Sequence, residues 1–262
     1  LDQDRNGEAL HVLARARQVA PRNPGVLNNL GNAWRKLEYP EEAEKAFRAV
    51  LRESPFHLQA MLNLGHLLLE RGALDEAEAL LQEAARGAPG CGPAQRLLGE
   101  AHERRGDLEQ ACACYRRALA LDPSDGLACS RLGVAALGAN DPERGLGYLR
   151  HAAEISPTDA DVLSNLARGA LLADRIDEGI EAAQAALQRN PRHTGALVNL
   201  AALERLRGRF DEAERLCRTA LAITPGLRTA RLNLSVALLE MGRHEEAERI
   251  LEAMIAADFG DA

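Results

Sequence analysis

The sequence predicts an all-α solenoid of stacked helix-turn-helix repeats. Three observations carry this: a proline series, a leucine series and a small-residue series, each recurring every 34 residues. Proline stands at Pro21, Pro55, Pro89, Pro123, Pro157, Pro191 and Pro225. Leucine stands at Leu30, Leu64, Leu98, Leu132, Leu166, Leu200 and Leu234, each followed by a small residue: Gly31, Gly65, Gly99, Gly133, Ala167, Ala201 and Ser235. A second small series runs Ala9, Ala43, Ala77, Ala111, Gly145, Gly179, Ala213 and Ala247. One period held in several registers marks a repeat architecture, where each unit buries its apolar face on its neighbours.

Each unit reads as two helices. Leu58 to Arg71 carries apolar residues at helical spacing, and Gly72 supplies a left-handed stop. The equivalent stops are Gly106, Asn140, Asp174, Gly208 and Gly242, all types that tolerate positive φ. Glu38 departs from that pattern, and Pro40 is expected to open the next helix there. Second helices begin with acids: Glu41-Glu42, Asp75-Glu76, Asp177-Glu178, Asp211-Glu212 and Glu245-Glu246. Carboxylates in a first turn complement the helix dipole by roughly 0.3–1 kcal/mol each. Proline closes the unit because it cannot continue a helix.

Composition narrows the function. The chain has 262 residues, 46% of them apolar, so it can bury a core. With 39 acidic against 32 basic residues the net charge is −7, and aromatics make up only 3%. Both argue against a nucleic-acid partner, the second because base-stacking platforms need aromatic rings. No apolar run approaches the ~18 residues of a membrane span, so no membrane partner is expected. Five cysteines, an odd number, favour a reducing, cytoplasmic compartment over a disulfide framework. Cys112 and Cys114 diverge by about 200° on a helix and cannot share a metal. Cys91, Cys129 and Cys217 have no ligand-spaced partner and read as small buried hydrophobes. His66 and Glu100 share one register in adjacent units, which leaves an acid–base pair or a plain polar contact. The run Gly87 to Gly92 lacks a preceding strand and a Gly-Lys-Ser ending, so it reads as a turn rather than a phosphate loop. No catalytic motif appears. The segment is expected to be no enzyme and to need no cofactor or metal.

Leu27, Leu30-Gly31, Trp34, Ala43, Phe47 and Pro55 resemble the tetratricopeptide repeat pattern. Seven full repeats follow from it: 24–57, 58–91, 92–125, 126–159, 160–193, 194–227 and 228–261. Residues 1–23 read as the second helix of a preceding partial repeat, from about Gly7 to Val19. Gln95 and Arg231 depart from the first large position, and His102 and Glu204 from the first aromatic one. The resemblance implies a right-handed superhelix whose first helices line a concave groove, and a protein-binding role. Phe259 stands where the last repeat should have its proline, and no polar capping helix follows Ile250, Leu251, Met254 and Ile255. Self-association through uncapped ends is therefore a further expectation.

The sixth position of the first helices reads Asn29, Asn63, Leu97, Arg131, Asn165, Asn199 and Asn233. Five asparagines at helix-interior sites cost about 3 kcal/mol in propensity, which calls for compensation. A carboxamide donates and accepts, so it can hold an extended peptide backbone of any sequence. The row is similar to the asparagine ladder of O-linked N-acetylglucosamine transferases, which implies that use. The alternative is that each asparagine bonds the neighbouring helix and shapes the stack. Arg131, Arg168 and Arg205 fall in successive repeats on the groove side and suit acidic ligand side chains. The carboxylate clamp of other family members is not formed, because Asn28, Pro93 and Leu97 stand where its basic residues belong. Repeat four, with Gly133, Gly138, Gly145 and Gly147, is expected to be the weakest unit and a hinge.

The expected function is a non-catalytic module binding an extended peptide or a partner protein. Two other readings stay open: the substrate-recruiting arm of a modifying enzyme such as a glycosyltransferase, and a purely structural assembly scaffold.

Overall fold

The computed structural model describes residues 12, 15 and 18–259. The helix expected from Gly7 to Val19 lies largely outside them. Among the described residues the secondary structure is helical, with no strand. Repeats one to three contribute α1 (Pro24–Lys36), α2 (Pro40–Glu53), α3 (Leu58–Glu70), α4 (Leu74–Gly87), α5 (Gly92–Arg105) and α6 (Leu108–Leu121). Repeats four to seven contribute α7 (Gly126–Gly138), α8 (Pro142–Ile155), α9 (Ala160–Leu172), α10 (Ile176–Arg189), α11 (Thr194–Leu206), α12 (Phe210–Ile223), α13 (Arg228–Glu240) and α14 (His244–Phe259). The chain divides into two compact units, Leu1–Pro123 and Ser124–Ala262. Repeat four thus belongs whole to the second. Within each unit consecutive helices pack in order, and the first helices of successive repeats also pack side by side.

Helix starts are capped in register. Asn23, His57, Asp125, Asp159 and His193 each accept a hydrogen bond from a first-turn amide of the helix they precede. Such a side-chain cap contributes about 1 kcal/mol. The second helices end two residues before Pro55, Pro89, Pro123, Pro157, Pro191 and Pro225. Phe259 replaces the proline in the last repeat, and α14 runs to 16 residues instead of 14.

First helices stop in the left-handed region in all seven repeats. Gly72, Gly106, Gly208 and Gly242 lie at φ 74 to 86°, with Asn140 at 60° and Asp174 at 57°. Glu38, expected to depart from the pattern, joins it at φ 63°. The turn between the two helices demands that conformation whatever residue occupies it, and Glu38 bears a Cβ cost of roughly 1–2 kcal/mol. Pro40 opens α2 as expected.

The two helices of a repeat meet at the small residue. A Cβ added to Gly31 would stand 2.5 Å from the Phe47 ring, and one on Gly65 2.6 Å from Leu81. Gly99 meets Tyr115, and Gly133 meets Leu149, in the same way. Where alanine replaces glycine, at Ala167 and Ala201, the corresponding second-helix residues shrink to Ala183 and Cys217. All four of these are fully buried. Volume is thus conserved across the crossing, as close-packed interiors require. One core cluster runs from Ala43 to Cys114 in the first unit and another from Leu137 to Ala247 in the second.

Repeat four separates two kinds of glycine. Gly145 faces Gly133 across the crossing, and a Cβ on it would lie 2.6 Å from Leu137 and 3.0 Å from the Gly133 carbonyl. Gly147, two residues on, has nothing within 4 Å. Gly147→Ala should therefore raise stability by about 0.8–1 kcal/mol. Gly145→Ala should lower it by about 1–3 kcal/mol through overpacking. Urea unfolding of both variants checks the pair, and equal effects would refute the distinction. Glu38→Gly should raise the thermal midpoint, by relief of about 1 kcal/mol of backbone strain.

Candidate peptide-binding face

The asparagine row lies where neighbouring first helices touch. In the first unit Asn63, half-buried on α3, donates through Nδ2 to Asn28 Oδ1 at 3.0 Å and accepts from Gln59 Nε2 at 3.1 Å. Asn29 on α1 is exposed. Leu97 interrupts the row on α5 as a buried core residue. In the second unit Asn165 on α9 donates to Ser130 Oγ on α7 at 3.3 Å. Asn199 on α11 donates to the Ser164 carbonyl at 2.9 Å, and Asn233 on α13 to the Val198 carbonyl at 3.4 Å. One amide hydrogen of each thus bonds the preceding repeat, as the stack-shaping alternative requires. The Oδ1 atoms of Asn165, Asn199 and Asn233 accept no hydrogen bond among the described residues.

A depression of about 340 Å³ brings part of the row together: Asn165, Asn199, Arg168, His193 and Ser164 line it, with Val198 and Leu227 as apolar floor. His193 has two tasks there. Its Nδ1 accepts the Ala196 amide at 3.0 Å, so its proton sits on Nε2, which donates to Asp161 Oδ1 at 2.9 Å. This residue carried no role in the sequence reading, although its place one position before a first helix was visible there.

The basic residues divide by partner. In the first unit, Arg35 donates to His66 Nδ1 at 2.8 Å and lies 3.5 Å from Glu70. Arg104 pairs with Glu100 at 2.7 Å. His66 and Glu100 are therefore each engaged elsewhere, and no acid–base pair is assembled between them. Burial pushes the His66 imidazole below its usual range, with Arg35 and Arg96 acting in the same direction and Glu70 and Glu100 opposing. In the second unit the side chains of Arg168 and Arg205 make no hydrogen bond or ion pair among the described residues, and both Nε atoms are buried without a partner. Arg131, Arg168 and Arg205 advance by three positions per repeat beyond the period, so they occupy successive helical turns rather than one row. Arg168 lines the depression; Arg131 and Arg205 do not.

The remaining candidates are structural. Burial pushes the Cys129 thiol up to about 11 and that of Cys217 up to about 12, and it raises Cys114 as well. Glu204 is 3% exposed at a position usual for an aromatic residue, 3.4 Å from Arg209. Among the described residues no group of three His, Cys, Asp or Glu side chains is placed to hold a metal. No helix among them is long and apolar enough to cross a membrane. A larger depression of about 610 Å³ lies between α2 and α4, floored by Leu51, Leu64 and Leu80. Arg48 pairs there with Glu44 and Glu76 and Lys45 with Glu42, while Arg52 and Glu83 make no ion pair among the described residues.

No curated protein matches the sequence. In fold the chain is similar to a chain of the APC/C hetero-tetramer Cut9–Hcn1, with TM-score 0.80 and 19% identity over 89% of its length, spanning 46% of that chain. It is also similar to YrrB, a TPR protein described as having an unusual peptide-binding site, with TM-score 0.57 and 20% identity over 71% of this chain and 96% of that one. Pseudomonas aeruginosa pilF matches with TM-score 0.70 and 15% identity over 79% of this chain and 95% of that one. Family models described as tetratricopeptide repeat match residues 35–90, 93–125, 164–227 and 204–262. With this repeat spread along both units, the chain belongs to the tetratricopeptide repeat family.

Proposed function

We propose that this chain is a non-catalytic protein-interaction module whose repeats five to seven hold an extended peptide segment. Asn165, Asn199 and Asn233 take its backbone, and Arg168 and Arg205 take acidic side chains on it. One observation carries the reading: the open Oδ1 acceptors of Asn165 and Asn199 line one depression with the unpaired Arg168 guanidinium. Polar groups half-buried without partners cost free energy that a ligand's hydrogen bonds recover. In the first unit Asn63 and Arg104 have partners within the chain, and Arg35 is bonded through one Nη while its Nε, like those of Arg168 and Arg205, is buried without a partner. The peptide-binding site described for the fold neighbour YrrB lends support.

The probe is a blocked dodecapeptide obtained by panning a random displayed library on the protein. Changing Asn165, Asn199 and Asn233 together to alanine should weaken its binding by about tenfold or more, since each lost hydrogen bond contributes about 0.5–1.5 kcal/mol. Helix propensity gained and inter-repeat bonds lost nearly cancel, so circular dichroism and unfolding should change little. Unchanged affinity in calorimetry would end this reading.

Salt should weaken the same peptide, because pairs near the surface are screened beyond about 8–10 Å at physiological ionic strength. Replacing Arg168 and Arg205 by glutamine should flatten that salt dependence. A dependence that persists in the double variant would place the ionic contacts elsewhere.

A further inference from the structure

Asn165 stands between opposite charges. On α9, Asp161 lies four residues before it and Arg168 three residues after it, so the three share one face of the helix. At a rise of about 1.5 Å per residue the two charged positions sit about 6 Å and about 4.5 Å to either side of the amide. All three residues line the same depression. The Asp161 side chain is 88% exposed, and its Oδ1 accepts from His193 Nε2 at 2.9 Å. His193 is fixed in turn by the Ala196 amide. Oδ2 of Asp161 accepts no hydrogen bond among the described residues, and Arg168 has no partner among them either.

This arrangement belongs to one repeat. In the register of Asp161 the other repeats carry Gly, Gln, Pro, Leu or Thr, and in the register of Arg168 they carry Asn, His, Glu, Val or Ala. Repeat five alone sets opposite charges on the two sides of its row position. An extended chain crossing α9 at Asn165 sends successive side chains to opposite sides. The side chain that turns towards Arg168 is matched by a carboxylate. Its neighbour turns towards Asp161 over the longer distance, which suits the longer side chain of a lysine or arginine. A concave site strengthens both pairs relative to open water and repels the wrong charge at each place.

We propose that Asp161 is a specificity-determining residue, and that the depression takes an adjacent acid–base pair of the extended segment, the acid on Arg168 and the base on Asp161. The proposal rests on the peptide-binding reading above and adds to it the basic residue and the adjacency. Its test pans the displayed dodecapeptide library separately on the intact chain, on Asp161→Asn and on Asp161→Lys. Asp161→Asn keeps an oxygen that can accept from His193 and removes the charge. Peptides from the unaltered chain should carry an Asp or Glu next to a Lys or Arg, in either order, at about fivefold the library frequency. Asp161→Asn should keep the acid and return its basic neighbour to library frequency. Asp161→Lys should select two neighbouring acids instead.

Calorimetry with the dodecapeptide selected on the unaltered chain completes the test. Changing the base of its acid–base pair to glutamate should weaken binding to the unaltered chain about tenfold, and Asp161→Lys should recover most of that loss. Three indistinguishable pools, an unaltered-chain pool without adjacent opposite charges, or a peptide change that costs the same on all three chains overturns the proposal while leaving the peptide-binding reading intact. Insensitivity of the peptide to the triple asparagine change overturns that reading, and this proposal with it.

Discussion

The structure depends on how closely two helices cross within one repeat. At Gly31, Gly65, Gly99 and Gly133 there is no room for a single additional carbon before a Phe, Leu or Tyr side chain of the second helix. That contact sets the distance between the two layers, and the distance sets which faces remain for neighbours. Gly133 and Gly145 carry it furthest, with each backbone lying against the other. Small residues at a crossing and large ones opposite are two halves of one volume constraint, since cores tolerate neither a void nor an extra methylene without loss. The first helices that this geometry brings side by side can then hydrogen-bond across their shared seam, and the asparagine row is built on that seam.

An amide on a seam has a divided role. One side of Asn165, Asn199 and Asn233 ties its helix to the preceding repeat, while the other stays open. Ladder and stack-shaping are therefore compatible uses of the same side chain. In the first unit Asn63 is bonded on both sides and Arg104 by Glu100, while Arg35 is bonded through one Nη to His66 and Glu70 and leaves its Nε without a partner. The second unit leaves Arg168 without a partner in the depression lined by Asn165 and Asn199, and Arg205 without one outside it.

Most of the architecture was legible because the period places every residue in a register. Helix spans, proline stops and the small-residue crossing could be read from Leu27 to Pro55 and repeated along the chain. Glu38 departs from the residue types that favour positive φ, yet the turn imposes φ 63° there regardless of side chain. Cys129 and Cys217 were legible as packing residues, and burial holds both thiols protonated. Pairing was not legible. Register shows that Asn199 lies in a row, but not that its Nδ2 meets Ser164 while its Oδ1 stays open, because that depends on the offset between adjacent helices. For the same reason nothing in the sequence separated Arg35, which has partners, from Arg168, which has none among the described residues. The capping roles of His57 and His193 could have been found by aligning them with Asn23, Asp125 and Asp159.

The central claim is that the open polar groups of the second unit receive an extended peptide. Its most direct test is nuclear magnetic resonance of the Asn side-chain amides and Arg Nε–H groups during titration with the selected dodecapeptide. The account predicts shifts at Asn165, Asn199, Asn233 and Arg168, with Asn63 and Arg35 unmoved. Shifts confined to the first unit, or to the depression between α2 and α4, would contradict it.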